Sequence, residues 1–254
     1  MVKNTHAEDG RATHVGLGHP VGPAVMFQQW RDLLFVHWRI PAARIQATLP
    51  TGLTVDTYDG DAYLGVVPFT MRNVRPRWLP PVPGLSNFLE LNLRTYVRDR
   101  AGGPGVWFYS LDANQRLAVA IARHLFHLPY EHATMTTRGS AADGFEFLSH
   151  RTRPLRGSGR SRIAWVPRGA VRGAEPGSLE FFLAERYRLY ADSPRGLQRG
   201  AVAHAPYPLQ DAEVRYVDEE LLIMNGFTPT GRPPDHVMCS SGVDVTIHPL
   251  QCVP

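Results

Sequence analysis

The chain has 254 residues, of which 43% are apolar and 20% are charged, and its formal net charge is +4. This balance is typical of a folded globular protein and excludes a chain that is disordered throughout. The 23 glycines and 22 prolines separate short apolar runs, so the composition indicates many turns and a β-rich fold.

Charge pattern and apolar runs argue against several classes of partner. Arginines are spread along the chain among Asp and Glu, whereas a nucleic-acid-binding protein concentrates its basic residues on one face. No apolar run approaches the ~20 residues of a membrane-spanning helix, and the first residues lack the apolar run of a signal peptide. Cys239 and Cys252 are the only cysteines, too few for a disulfide framework. We therefore expect a cytoplasmic protein with neither nucleic acid nor membrane as partner.

The order of the elements predicts the fold class. Residues 1–24 are polar and Gly-rich, which predicts a flexible tail, and residues 25–254 contain no repeat or linker, so we expect one domain there. Because apolar runs between turns dominate, we predict an α+β protein with a mostly antiparallel sheet and few helices. The predicted strands are 33–40, 62–71, 90–98, 106–111, 131–137, 143–150, 160–166, 197–204, 211–217 and 242–248, and short helices are predicted over 42–49 and 178–186.

The middle of the chain carries the clearest local patterns. Residues 90–98 alternate between polar and apolar side chains, and the turn 101–105 returns the chain into 106–111, which predicts a β-hairpin. A helix is predicted to begin at Asp112 as its N-cap, with an apolar face at helical spacing, and to end before Pro129. That apolar face consists of Leu117, Ile121 and Leu125.

Two strand faces and one helix face are candidates for a site. Glu90, Asn92 and Arg94 share a strand face that either meets solvent or lines a polar cavity. A second strand face combines an arginine and a histidine with two apolar residues. Such a face is either the wall of a partly apolar pocket or a strand with an arginine at its end. The helix has a basic stripe that is typical of a solvated face. The second strand face consists of Arg31, Leu33, Phe35 and His37, and the helix stripe of Arg116, Ala120, Arg123 and His127.

Signatures of cofactors and metals are missing. The sequence has no phosphate-binding loop and no nucleophile-elbow motif. His124, His127 and His132 lie close together, but no carboxylate motif frames them as metal ligands. We therefore expect neither an organic cofactor nor a metal.

Seven segments of the sequence together resemble the YqjF-like family. That family is similar to the acetoacetate decarboxylase-like superfamily, whose members share a β-cone, a curved and partly closed antiparallel sheet around a deep pocket. The resemblance therefore implies a β-cone and a homo-oligomer. The segments are 30–41, 49–71, 89–97, 105–113, 123–130, 176–190 and 204–213.

The resemblance also implies where the pocket residues lie. It places Tyr130 where the decarboxylases have their Schiff-base lysine and Glu131 where they have a second lysine. Arg123 matches an arginine of the preceding helix, and Arg31 and Glu90 match residues of the pocket. A Schiff base requires an amine side chain, and the only lysine is Lys3, so we expect no imine-forming decarboxylase.

These residues suit proton transfer beside a carbonyl group. An apolar wall would raise the pKa of a glutamate and neighbouring arginines would lower that of a tyrosine. We expect a cofactor-independent lyase, isomerase or cyclase that acts on a small carbonyl or aromatic-ketone metabolite. The alternative is a small-molecule-binding protein without catalysis. The candidate catalytic residues are Tyr130, Glu90 and Arg31, and the candidate substrate-binding residues are Arg94, Asn92, His37, Arg123 and Glu131.

Overall fold

The computed structural model describes residues 22–151, 158–228 and 233–253. Most of the predicted N-terminal tail, residues 1–21, therefore lies outside the described residues. The strands are β1 Met26–Ile40, β2 Leu53–Val55, β3 Ala62–Pro76, β4 Phe88–Asp99, β5 Pro104–Ala113, β6 Tyr130–His132, β7 Thr134–Ser140, β8 Gly144–Arg151, β9 Gly159–Arg172, β10 Arg188–Ser193, β11 Gly196–His204, β12 Leu209–Glu219, β13 His236–Ile247 and β14 Gln251–Cys252. The helices are α1 Ala42–Gln46, α2 Arg116–Phe126, α3 Leu179–Ala184 and α4 Leu221–Met224.

Strands of the sheet close into a ring. The ring runs from β1 through β3, β4, β5, β10, β11 and β13 and returns to β1. Its closing pair is β11 with β13, where Val202 lies opposite Ile247. Neighbours in the ring are antiparallel except β5 and β10, which pair in parallel. The structure thus confirms the predicted α+β class and the curved, mostly antiparallel sheet.

The sheet continues outside the ring and produces two cores. β12, β9, β8 and β7 extend the sheet beyond β13. Because side chains alternate along a strand, β1 contributes Leu33 and Phe35 to the core inside the ring. It contributes Leu34 and Val36 to the outer core, which also contains Trp165. The inner core surrounds the cavity described below.

The structure confirms the predicted hairpin, in which β4 and β5 pair with Arg98 opposite Pro104. The predicted start of the following helix is wrong. Asp112 belongs to β5, where its buried carboxylate pairs with the guanidinium of Arg151. Gln115 caps α2 instead, since its side chain accepts a hydrogen bond from the Leu117 amide. Four elements were not predicted from the sequence, namely β2, β10, β14 and α4.

The apolar stripe of α2 does not pack into the core. Leu117, Ile121 and Leu125 are 50%, 41% and 66% exposed, whereas Val119 is buried. The stripe stays exposed because α2 lies at the mouth of the cavity, and Leu117 and Ile121 line that mouth. Within the described ranges, the structure contains no helix with the length and hydropathy needed to cross a membrane.

Candidate functional site

A cavity of about 330 Å³ lies inside the ring of strands. Its walls are mostly apolar and rich in aromatic rings, including those of Trp30, Phe69 and Phe108. Such a cavity, with few polar groups at defined places, is the usual form of a small-molecule site. Three of the polar groups come from one strand, β4.

Three residues of β4 form a polar stripe on the cavity wall. Glu90, Asn92 and Arg94 all line the cavity and are 2%, 4% and 7% exposed. Successive side chains of a strand point to opposite faces, so alternate residues reach the same wall. Of the two alternatives for this face, solvent or a cavity, the structure shows the cavity.

Glu90 and Tyr130 form a hydrogen-bonded pair. The Tyr130 hydroxyl donates to Glu90 Oε2 at 2.8 Å. Burial raises the pKa of Glu90 to about 7, although hydrogen bonds from Tyr130 and Asn92 oppose the rise. Burial and the adjacent Glu90 carboxyl hold the pKa of Tyr130 well above its usual value. The predicted lowering of the Tyr130 pKa by arginines is therefore wrong, and Tyr130 remains a protonated donor.

Asn92 and Arg94 carry polar atoms that lack a protein partner. Both atoms are buried. Within the described part of the chain, Asn92 Oδ1 accepts no hydrogen bond and Arg94 Nε donates none. Arg94 Nη2 donates to the carbonyl of Leu183 at 3.0 Å. Unpaired buried polar groups cost free energy, so such groups in a cavity indicate a place for a ligand.

Arg123 and Glu131 do not line the cavity but position Tyr130. Arg123 Nε donates to the Tyr130 carbonyl at 2.5 Å, and Arg123 Nη2 pairs with Glu131 Oε2 at 2.7 Å. Side chains alternate along β6, so Tyr130 faces the cavity and Glu131 faces away from it. The sequence-based assignment of both charged residues to substrate binding does not agree with this placement.

Arg31 is the candidate catalytic residue that the structure places outside the site. Its guanidinium pairs with Asp244 and donates to the Val243 carbonyl at 2.7 Å. The register of β1 against β3 shifts after Arg31, and Asp32 has a φ of 55°. This bulge exchanges the two faces of β1, so Trp30 lines the cavity and Arg31 does not.

His37 lies behind the cavity wall rather than on it. It is fully buried, and its Nε2 shares a 2.7 Å hydrogen bond with the Tyr96 hydroxyl. Burial, with His236 and Arg94 nearby, lowers the pKa of His37 well below its usual value. His37 therefore stays neutral and supports Tyr96, which in turn contacts Arg94 at 3.5 Å.

Trp30, Tyr207 and Arg186 line the cavity but were not identified from the sequence. Arg186 pairs with Asp56 at 2.7 Å, and Arg98 pairs with the same carboxylate. The alternation of β1 would have indicated Trp30 only if the bulge had been recognised. In the described ranges no cluster of three His, Cys, Asp or Glu residues is suited to a metal ion.

Comparison with known proteins shows the family of this chain. Residues 27–244 match the model of DUF2071, described as an uncharacterized conserved protein. The chain belongs to this family. It is similar to the protein YqjF of Bacillus subtilis, with 39% identity over 233 residues that cover 91% of this chain and 94% of YqjF. The resemblance drawn from the seven sequence segments is thus confirmed.

Solved structures of low sequence identity show the same fold. The enduracididine biosynthesis enzyme MppR, complexed with the condensation product of pyruvate and imidazole 4-carboxaldehyde, has a TM-score of 0.62 at 13% identity. That likeness covers 96% of the DUF2071 chain and 98% of MppR. An acetoacetate decarboxylase-like enzyme from Sphingomonas wittichii RW1 has a TM-score of 0.61 at 15% identity, covering 94% and 100%. The fold is therefore acetoacetate decarboxylase-like.

Proposed function

We propose that this protein is a cofactor-independent acid–base enzyme that acts on a carbonyl or aromatic-ketone compound in the cavity. The observation that carries the proposal is the Tyr130–Glu90 pair on the wall of a mostly apolar cavity. A carboxyl with a pKa of about 7 is half ionised at neutral pH, where it can both remove and return a proton. Aromatic walls suit an aryl or alkyl ketone.

The proposed step is enolisation. The ionised Glu90 carboxylate removes a proton from the carbon next to the carbonyl, and the electron pair of that C–H bond moves to the carbonyl oxygen. The Tyr130 hydroxyl turns its single proton from Glu90 to this oxygen and donates a hydrogen bond to it as its negative charge develops. Return of the proton from Glu90 to the same carbon gives exchange, and return to another carbon gives an isomer.

An imine route is disfavoured by the residues present. Lys3 is the only lysine of the sequence, and no described residue that lines the cavity is a lysine. Tyr130, which the family resemblance places at the Schiff-base position, has no amine. Acetoacetate should therefore give no covalent adduct with the cavity residues when borohydride is added.

Proton exchange in deuterated water tests the proposal. Pyruvate, levulinate and acetophenone would be incubated with the protein and followed by proton NMR. We expect loss of the α-proton signal of at least one compound, and a roughly 10²–10⁴-fold slower loss with Glu90→Gln. Tyr130→Phe keeps the ring and should slow exchange with little change in affinity. Arg168→Gln, on the exposed surface, is the matched control.

The second candidate is a binding protein without catalysis. The predominance of apolar side chains in the wall favours it, because a binding site needs only the hydrogen bonds of Glu90, Tyr130 and Arg94. In that case Tyr130→Phe weakens binding by about 0.5–1.5 kcal/mol, and no compound exchanges its protons. The homo-oligomer and the cytoplasmic location stay predictions of the sequence.

A further inference from the structure

The cavity has two unlike ends. At the mouth, Leu79, Val82 and Leu117 line the cavity and are 55%, 43% and 50% exposed. At the inner end, Arg94 and Tyr207 line it and are 7% and 2% exposed. The cavity therefore leads from an apolar rim in contact with solvent to a buried cation.

The charge of Arg94 is not neutralised by the protein. Within the described ranges no ion pair joins it to a carboxylate, its Nη2 is used by neutral oxygens, and its Nε has no acceptor. The Glu185 carboxylate is held by the Tyr187 hydroxyl and the Tyr207 amide instead. A buried, unpaired charge is costly, and an anionic ligand would relieve that cost.

Two further arginines line the cavity, and neither guanidinium is available to a ligand there. The side chain of Arg188 extends to Gly103, in the turn before β5. Arg186 donates to Asp56 Oδ2 at 2.7 Å and to the Phe182 carbonyl at 2.6 Å. A single free cation matches a monoanion, such as a carboxylate, better than a phosphate group with two negative charges. The chemistry of the inner end thus points to one carboxylate group.

The reacting groups lie away from this cation. Glu90 and Arg94 are four residues apart on β4, which is a regular strand against β3, so their Cα atoms are about 13 Å apart. In α- and β-keto acids the carbonyl and the carboxylate are separated by one carbon atom or none. The Arg94 guanidinium lies over the Tyr96 ring, on the side of Arg94 that is away from Glu90. A longer acid therefore suits a carboxylate at Arg94 and a carbonyl at the Glu90–Tyr130 pair better than such a short acid does.

We propose that the cavity takes an elongated amphiphilic carboxylate, with the carboxylate at Arg94 and the apolar chain extending past Glu90 and Tyr130 to the mouth. Apolar walls surround the chain, and the exposed side chains of the rim meet its outer end. The proposal deepens the proposed function, and it rests on that function in one respect: the cavity must be the site where the ligand binds. It assigns a substrate in which several carbon atoms separate the carbonyl from the carboxylate.

Calorimetric titration with a series of straight-chain acids tests the proposal. The probes are butanoate, hexanoate, octanoate and decanoate, with pyruvate as the short reference and octanol as the neutral one. We expect affinity to rise about fourfold for each added methylene until the chain reaches the rim. We expect octanoate to bind roughly ten- to a hundredfold more tightly than octanol, because only octanoate pairs with Arg94.

Two variants connect the preference to Arg94. Arg94→Gln should remove the difference between octanoate and octanol, and Arg94→Lys should retain most of it. The control Arg168→Gln should leave it unchanged. Equal binding of octanoate and octanol by the natural protein, or a carboxylate preference that survives Arg94→Gln, would overturn the proposal. If Arg94→Gln does not fold, the proposal is judged on the binding of octanoate and octanol by the natural protein and by Arg94→Lys.

The outcomes for ligand class and for catalysis are separate. Titration needs no turnover, so chain-length-dependent binding without proton exchange would support the ligand class and refute the enzyme. Proton exchange of pyruvate, together with binding that does not depend on chain length, would refute the ligand class and leave the acid–base function in place.

Discussion

The pKa of Glu90 allows a test of the site that needs no substrate. The carboxyl titrates near 7 in the folded protein and near 4.5 when it is unperturbed. A group with a raised folded pKa favours folding while it is protonated, and that contribution is lost as pH rises from about 4.5 to about 7. The ionised Glu90 therefore costs about 3 kcal/mol of unfolding free energy above that window.

Glu90→Gln removes this pH dependence because glutamine keeps the shape and the acceptor for Tyr130 but does not ionise. Urea unfolding of both proteins at several pH values from 4.5 to 8.5 measures the difference. We expect the variant to match the natural protein near pH 4.5 and to exceed it by about 3 kcal/mol above pH 8. Glu219, whose pKa burial raises to about 8, is present in both proteins and cancels. If the unfolding free energies of the two proteins differ by the same amount at every pH, the raised pKa of Glu90 is refuted.

Three further substitutions test other parts of the structure. Arg31→Ala should leave octanoate affinity unchanged in calorimetry, since Arg31 lies outside the cavity, and a loss as large as that of Arg94→Gln would restore it to the site. Asp112→Asn should lower the unfolding free energy in urea by about 3–5 kcal/mol, because it leaves the buried Arg151 unpaired; a loss below 1 kcal/mol would contradict that pairing. Gly242→Ala should cost more than about 2 kcal/mol in the same assay, because a Cβ there would lie 2.0 Å from the Trp30 carbonyl at a φ of 127°; unchanged stability would refute this packing.

The sequence predicts the elements of the sheet better than it predicts the site. Period-two patterns identify β4 and the hairpin because each strand has one face on each core, and alternation follows directly from that burial. The same rule places Glu90, Asn92 and Arg94 on one face. It does not show whether that face meets solvent, since this depends on β10 and β11 closing the ring far along the chain.

The wrong assignments have local physical causes. A bulge at Asp32 exchanges the faces of β1, and a bulge has no clear signal in the residues Arg31 to Leu33. Asp112 has the residue type of a helix cap, but its carboxylate pairs with Arg151, which the chain brings to it only through β8. The helix α2 has an apolar stripe typical of a packed helix, and only its position at the mouth of the cavity explains why that stripe is exposed.

The pH dependence of α-proton exchange is the most direct test of the central claim that Glu90 and Tyr130 form an acid–base pair. The probes are acetophenone and a straight-chain oxo-acid with several carbon atoms between carbonyl and carboxylate, in deuterated water, with the natural protein, Glu90→Gln and Tyr130→Phe. The account predicts an exchange rate that rises with pH to a plateau above about 7, as Glu90 ionises, and that falls in both variants. Exchange that is absent, or that is unchanged in Glu90→Gln, would contradict it.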